Sequence, residues 1–493
     1  MDNTILGRPY PRLGRIRAAH LWGLIWGGMG LVLALVVYAP TEWPATAGVL
    51  MMTQAFAVAV MWPRLRASQQ AVLPDFLTIF LLFQTINKSL TLLNLLVRAA
   101  GVEDVRTIAI GFDFLTDLPN FYRWQAEWVF LAGTVFFTLG WLLIERRRPL
   151  FVWIEPSPRF LWHGFFASIG LYILLNKLGL APAVGMLSGL LKLFAIGALA
   201  VLLGGKSHYG LGRKKSWLPI LALLPLYYLS LQSGVKGEFA LISMPILLPI
   251  FRRLTPPRLL GLSGFLAVVV LVVFPISQEA RKANWESYRG SENLDTIELL
   301  ARVENRWAFD GVFTTAVDSS TKWLARGASA DIGGLVMQIA DQDGHIGAFL
   351  IKDLLYIFIP RFLWPGKPRF MPGAWFTWYL GGASSPEAAS SATAMMLPTE
   401  MYWMYGWVGV VVGMILLGLL YAWCWKMLIK LSTSSLIGLL ALFAYVIRAG
   451  NLESTHSLYA IAEPITFLVY IFGLNWMVQF VSPRWIRLTV RRP

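Results

Sequence analysis

The sequence predicts an all-α polytopic integral membrane protein of about twelve transmembrane helices with one large periplasmic loop, because its apolar runs repeatedly approach the roughly 20 residues that a helix needs to cross hydrocarbon. Composition is the second observation: of 493 residues, 57% are hydrophobic and only 14% charged, a balance that excludes a soluble fold. The third is the placement of charge. The formal net charge is +15, yet most of the surplus Lys and Arg sits in short segments beside the apolar runs, where basic residues set topology. The charge is therefore a topological address and not a nucleic-acid footprint.

Taken in order, the apolar runs place spans near 21–39, 44–62, 72–97, 127–144, 159–178 and 181–203. A second set follows near 217–232, 237–252, 259–276, 406–428, 433–449 and 459–480. The first run begins near Leu21 and is followed by neither a polar mature domain nor a convincing cleavage site, so it reads as a retained helix. Basic residues then gather on alternate connections, as a correct span count requires. They are Arg8, Arg12, Arg15 and Arg17; Arg64 and Arg66; Arg146 to Arg148; Arg213, Lys214 and Lys215; Arg252, Arg253 and Arg258; Lys426 and Lys430; and Arg484, Arg487, Arg491 and Arg492. Both termini are thereby expected in the cytoplasm of a bacterium, with the spans in its inner membrane.

The same pattern divides the chain into an N-terminal membrane bundle over 1–276, a periplasmic loop over 277–405, and a C-terminal bundle and short tail over 406–493. A loop of roughly 130 residues far exceeds ordinary connections and is not low-complexity, which marks it as functional. Within it, Leu294, Ile297, Leu300, Val303 and Trp307 recur at helical spacing, predicting an amphipathic helix. The stretch Ile346 to Ile359 is too short to span and reads as interfacial or re-entrant. No internal repeat supports an inverted-repeat transporter.

Several chemistries are excluded. Cys424 is the lone cysteine, so there is no disulfide scaffold or thiolate metal cluster. HExxH and GxSxG motifs are absent, and the histidines are scattered singly. No cytoplasmic loop is long enough for a nucleotide-binding domain. No cofactor or metal is expected, and a substrate that arrives already activated and membrane-tethered becomes attractive.

The candidate residues gather on the outer face. Lys236 lies in the polar, Gly-flanked turn Ser233-Gly234-Val235-Lys236-Gly237, at the depth of a lipid-borne phosphate. Arg281 and Arg289 follow the ninth span, where guanidinium groups can grip phosphate. Arg361, Lys367 and Arg369 alternate with aromatics and prolines, a shaped basic surface suited to pyrophosphate and to sugar faces. Glu400 stands at the entry to the tenth span as the favoured carboxylate for proton transfer, with His456 as the alternative. Arg448 ends the eleventh span on the same face. Inside the bilayer, Lys88, Lys192 and Asp75 are expensive enough to be site candidates by default, and Lys88 lies toward the outer end of its span.

This layout resembles a Wzy-type polysaccharide repeat-unit polymerase of the O-antigen and exopolysaccharide group. Two local patterns carry the resemblance: Ser233-Gly234-Val235-Lys236-Gly237, with Lys where the related turn often has Arg, and Pro360-Arg361 through Lys367-Pro368 followed by Gly373, Pro398, Glu400 and Gly406. The resemblance implies transfer of a glycan from a polyprenyl-pyrophosphate-linked oligosaccharide onto another lipid-linked repeat unit. It implies as partners that substrate, membrane lipids and other polysaccharide assembly proteins such as a flippase and a chain-length regulator, with no nucleic acid. An O-antigen ligase-like enzyme and a transporter of an anionic glycan or lipid share the same membrane plan.

Overall fold

The structure, a computed structural model, describes residues 16–67, 74–99, 118–145, 158–178, 186–204, 296–312, 329–359, 371–386, 393–432, 449–453 and 455–481, with isolated residues and short pieces elsewhere. Among the described residues all regular structure is helical, with no strand. In chain order the helices are α1 (Ile16–Val32), which runs into a π-helical turn at Leu33–Val37, α2 (Trp43–Ala67), α3 (Phe76–Ala99) and α4 (Asn120–Glu145). Then come α5 (Pro158–Lys177), α6 (Met186–Gly204), α7 (Thr296–Asp310), α8 (Ser329–Asp343), α9 (Pro372–Tyr379), α10 (Leu397–Ser432) and α11 (Ser457–Val481).

Among the described residues, five stretches are long and apolar enough to cross a membrane: Trp43–Leu65, Phe76–Leu96, Asn120–Glu145, Leu397–Ser432 and Ser457–Trp476. The chain is thus an all-α, membrane-embedded protein. Helices α1, α5 and α6 occupy three more of the expected apolar runs. The expected spans over 217–232, 237–252, 259–276 and 433–449 lie largely outside the described residues.

The chain divides into two compact units, Met1–Ile154 with Ala325–Pro493, and Glu155–Leu324. In the first, α4 packs along α10, and α2 packs against α1, α3 and α4. Glycine permits the closest approach: a Cβ at Gly140 would fall 2.2 Å from the Ile415 carbonyl oxygen, and one at Gly418 2.2 Å from that of Phe137. Helices in lipid lack a hydrophobic force between them, so small residues and tight backbone packing supply the adhesion. Beside this seam Phe76 stacks on Trp141 at 5.8 Å and meets Tyr421 at 4.9 Å and Tyr445 at 5.1 Å. The core of the unit is accordingly aromatic.

One end of the bundle is closed by charge. Arg64 of α2 reaches Asp75 at 2.5 Å and Glu145 at 2.8 Å, all three buried. Asp75 also caps α3 by accepting from the Thr78 backbone N–H at 2.7 Å, and the Trp141 indole donates to Glu145 at 2.9 Å. Asp75, flagged in the sequence as an expensive intramembrane acid, is here a helix cap and an ion-pair partner.

Helix α8, inside the segment expected as loop, packs on α4. Arg123 Nε lies 2.7 Å from Asp331 Oδ1, with both side chains buried. Helix α10 is two arms. Tyr405 and Gly406 break it, with Gly406 at φ +62°, a left-handed conformation that glycine adopts at little cost. A Cβ at Gly409 would lie 2.2 Å from the Met401 carbonyl oxygen, so the short first arm folds back against the long second one. The long arm corresponds to the expected tenth span.

Between α8 and α9, a 3-10 turn at Gly347–Ile351 and a single helical turn at Leu354–Ile357 expose Phe349, Leu355, Tyr356 and Ile359. The Tyr379 hydroxyl donates to Asp343. Burial, then the neighbouring carboxylate, push that hydroxyl up to about 12, which keeps it a donor.

In the second unit α5 packs against α6. Helix α7 is the amphipathic helix expected around Leu294 to Trp307, beginning at Thr296. It buries Val303 against Ile276 and Trp307, and its Arg306 pairs with Glu279 at 2.7 Å and Asp310 at 3.5 Å.

Candidate functional site

The short arm of α10 begins under constraint. Met396 has φ +63°, a left-handed conformation that a side chain with a Cβ rarely adopts. The Leu397 N–H then donates to the Glu453 carbonyl at 2.8 Å, docking this first turn on the segment that precedes α11. Glu400, one turn later, is fully buried and faces the start of α11. Its Oε2 lies 3.0 Å from His456 Nδ1, and its Oε1 accepts from the Ser457 backbone N–H at 3.1 Å and from the Ser457 hydroxyl.

This arrangement fixes a chemical direction. A carboxylate accepts, so Nδ1 carries the hydrogen in a neutral ring and Nε2 keeps the lone pair. The His456 carbonyl takes the first bond of α11, from the Ala460 N–H at 2.8 Å, which holds the backbone under the ring. His456 is 9% exposed. The carboxylate also sits against the positive end of α11, where negative charge is stabilised. Both Glu400 oxygens are thus engaged, and the unengaged basic atom of the pair is His456 Nε2.

A second buried constellation adjoins the same segment. Lys88 of α3, fully buried, lies 3.1 Å from Glu127 Oε2 and 3.1 Å from Glu453 Oε1. Its ammonium sits 3.8 Å above the Phe130 ring, a cation–π contact. Asn87 Nδ2 adds a donor to Glu453 at 3.4 Å. The lone lysine of an apolar run has found its partners on α4 and ahead of α11, as the cost of a solitary charge in hydrocarbon requires.

Two further sequence candidates are visible. Lys367 donates to the carbonyls of Ile357 at 3.1 Å and Ile359 at 2.8 Å, so its ammonium serves the end of a helical turn. Lys192 is buried on α6. Lys236, Arg281, Arg289, Arg361, Arg369 and Arg448 lie outside the described residues. Among the described residues, no group of three or more His, Cys, Asp or Glu side chains is placed to hold a metal ion.

The chain matches no family model, no curated protein and no solved structure. Function must therefore be argued from the site. The structure brings Glu400 and His456 together and adds Ser457, Glu127 and Glu453, which motif reading did not assign. The available signal for Glu127 was a single acid opening an apolar run opposite a run holding a single lysine.

Proposed function

We infer that this chain is a membrane glycosyltransferase that polymerises polyprenyl-pyrophosphate-linked oligosaccharide units into O-antigen or exopolysaccharide at the periplasmic face of the bacterial inner membrane. The observation that carries this reading is the buried Glu400–His456 pair at the beginnings of two apolar helices, a base beside its orienting carboxylate. In this reading the chain has about twelve spans, cytoplasmic termini and a periplasmic loop, following the distribution of its basic residues.

The acceptor hydroxyl of one unit gives its proton to His456 Nε2 as its oxygen forms the new bond to the anomeric carbon of the donor. The bond from that carbon to the pyrophosphate breaks, and the electron pair leaves with the pyrophosphate. Negative charge on the departing group is the largest electrostatic demand of the step, and the sequence assigns it to Lys236, Arg281 and Arg361 as candidate cations. Arg289, Arg369 and Arg448 are sequence candidates for the same pyrophosphate-binding role. Glu400 acts through His456 as a positioning residue.

The test is the length of lipid-linked glycan in cells lacking the protein, complemented with wild type or His456→Gln at matched membrane abundance. Single repeat units on the carrier without the protein, long chains with wild type and single units again with His456→Gln support polymerisation. Long carrier-linked chains in the absence of the protein overturn it, and their failure to reach a final acceptor points to a ligase. The Lys88 cluster inside the bilayer favours a second reading, transport of an anionic glycan or lipid. Movement of the substrate into vesicles containing the purified protein, with no bond formed, would establish that reading.

A further inference from the structure

Lys88 is shared by two carboxylates, Glu127 and Glu453, which among the described residues leaves the buried cluster one negative charge in excess when both acids are ionised. An uncompensated charge in an apolar interior is strongly unfavourable. Beside Glu453 lies a small void bounded by Gln84, Thr134, Phe130, Leu397 and Met414, with room for about one water-sized particle. Gln84 is 4% exposed, and its side-chain oxygen has no hydrogen-bond partner. The Thr134 hydroxyl spends its hydrogen on the Phe130 carbonyl at 2.9 Å, so it too offers lone pairs. The wall of the void is mostly apolar, with Phe80, Pro398 and Leu452 beside the side chains already named, and Gln84, Thr134 and Glu453 are the oxygen-bearing side chains set into it.

We propose that this void binds one small monovalent cation, held by the Gln84 carbonyl oxygen, the Glu453 carboxylate and the Thr134 hydroxyl. The cation is either a proton, carried on a carboxyl or a bridging water that donates to Gln84, or a sodium ion. In both cases a single positive charge balances the cluster and satisfies the orphaned oxygen. Among the described residues, the other charged groups of the cluster are Lys88 on α3 and Glu127 on α4, and Glu127 also feels Asp331 on α8, itself paired with Arg123. The Glu400–His456 pair follows on the same segment. Because the Glu453 carbonyl holds the first turn of α10, cation occupancy is mechanically linked to the turn bearing Glu400. The site stands independently of the glycosyl-transfer reading.

The experiment is thermal unfolding of the purified full-length chain in detergent, with sodium chloride exchanged for choline chloride at constant ionic strength, and separately across acid to neutral pH in choline. A ligand bound only by the folded state changes the folding constant about tenfold for each tenfold change in its concentration once the site is near saturation. Wild type is expected to show this response to sodium, or to protons, above the response of Glu453→Gln and of Gln84→Met. Gln84→Met keeps every charge and removes only the oxygen ligand, so it remains informative if Glu453→Gln does not fold. A sodium response identifies the ion as sodium, and a response confined to pH identifies a proton. Wild type and Gln84→Met responding identically to both would overturn the site.

Discussion

Glu400 and His456 meet at 3.0 Å between Oε2 and Nδ1, although 56 residues separate them along the chain. The contact joins the folded-back arm of α10 to the residue that opens α11, and it orients the ring by occupying one nitrogen. With Oε1 on Ser457, the carboxylate has no oxygen left for a substrate proton unless the local network breaks. In the proposed reaction, proton transfer is accordingly assigned to the ring.

Replacing His456 with Gln should lower the turnover of glycan extension by about a hundredfold to ten-thousandfold, the ordinary contribution of a positioned base. Glu400→Gln should lower kcat by less and leave KM nearly unchanged, since it removes orientation and not binding. The measurement is extension of a lipid-linked acceptor by the purified protein over a range of substrate concentrations. Equal losses in KM for both variants would argue for a collapsed site instead.

Ser457→Ala separates capping from catalysis. It deletes the hydroxyl that donates to Glu400 and keeps the backbone N–H and His456 in place. A stability loss of about 1 kcal/mol is expected from one buried hydrogen bond, with turnover within a few-fold of wild type. Denaturation midpoints and initial rates measured on the same preparation test this. A turnover loss as large as that of His456→Gln would place Ser457 in the chemistry.

The five spans seen among the described residues were legible because hydrocarbon demands long apolar helices whatever their neighbours are. Glu400, His456 and Lys88 were legible for a related reason: each is a polar group where polar groups are expensive. Their partnerships were not legible. Lys88 pairs with residues 39 and 365 positions away, and no spacing rule reaches so far. Helix α8 lies within a stretch read as loop, although Ile332, Leu335, Val336, Ile339 and Ala340, all buried, recur at helical spacing and made a helix legible. Its close approach to α4 was not: a Cβ at Gly333 would lie 2.9 Å from the Phe130 ring and one at Gly334 3.1 Å from the Arg123 backbone nitrogen, contacts that no spacing rule announces. At Lys367 a cation among aromatics suggests phosphate, and what the pattern did not announce is that its ammonium also donates to the backbone carbonyls of Ile357 and Ile359.

The Arg64 cluster gives a stability prediction. Arg64→Ala would leave Asp75 and Glu145 buried without their cation, a loss of about 3–5 kcal/mol by the usual cost of breaking a buried pair from one side. The triple variant Arg64→Met, Asp75→Asn, Glu145→Gln removes the charges together. It should be markedly more stable than Arg64→Ala alone, because charge desolvation then disappears with the pairing. Unfolding midpoints of the two variants against wild type decide this. A triple variant less stable than the single one would mean that the cluster contributes net stability beyond neutralising itself.

Gly418 tests the helix seam. An added methyl at this position meets the Phe137 carbonyl oxygen at 2.2 Å, a contact with backbone that no rotamer change relieves. Gly418→Ala must therefore separate α4 from α10, and a loss of at least about 1–3 kcal/mol is expected from overpacking. Gly473→Ala, in α11 with no heavy atom within 4 Å of its added methyl, supplies the control. There the change should be neutral or stabilising by up to about 1 kcal/mol through helix propensity alone. The seam also carries the short arm of α10, since a Cβ added at Gly133 of α4 would lie 3.0 Å from the Pro398 ring. Gly418→Ala should consequently lower the proposed glycan extension as well as stability, while Gly473→Ala leaves both intact. Loss of stability without loss of extension would show that the Glu400 arm holds its position independently of the α4–α10 contact.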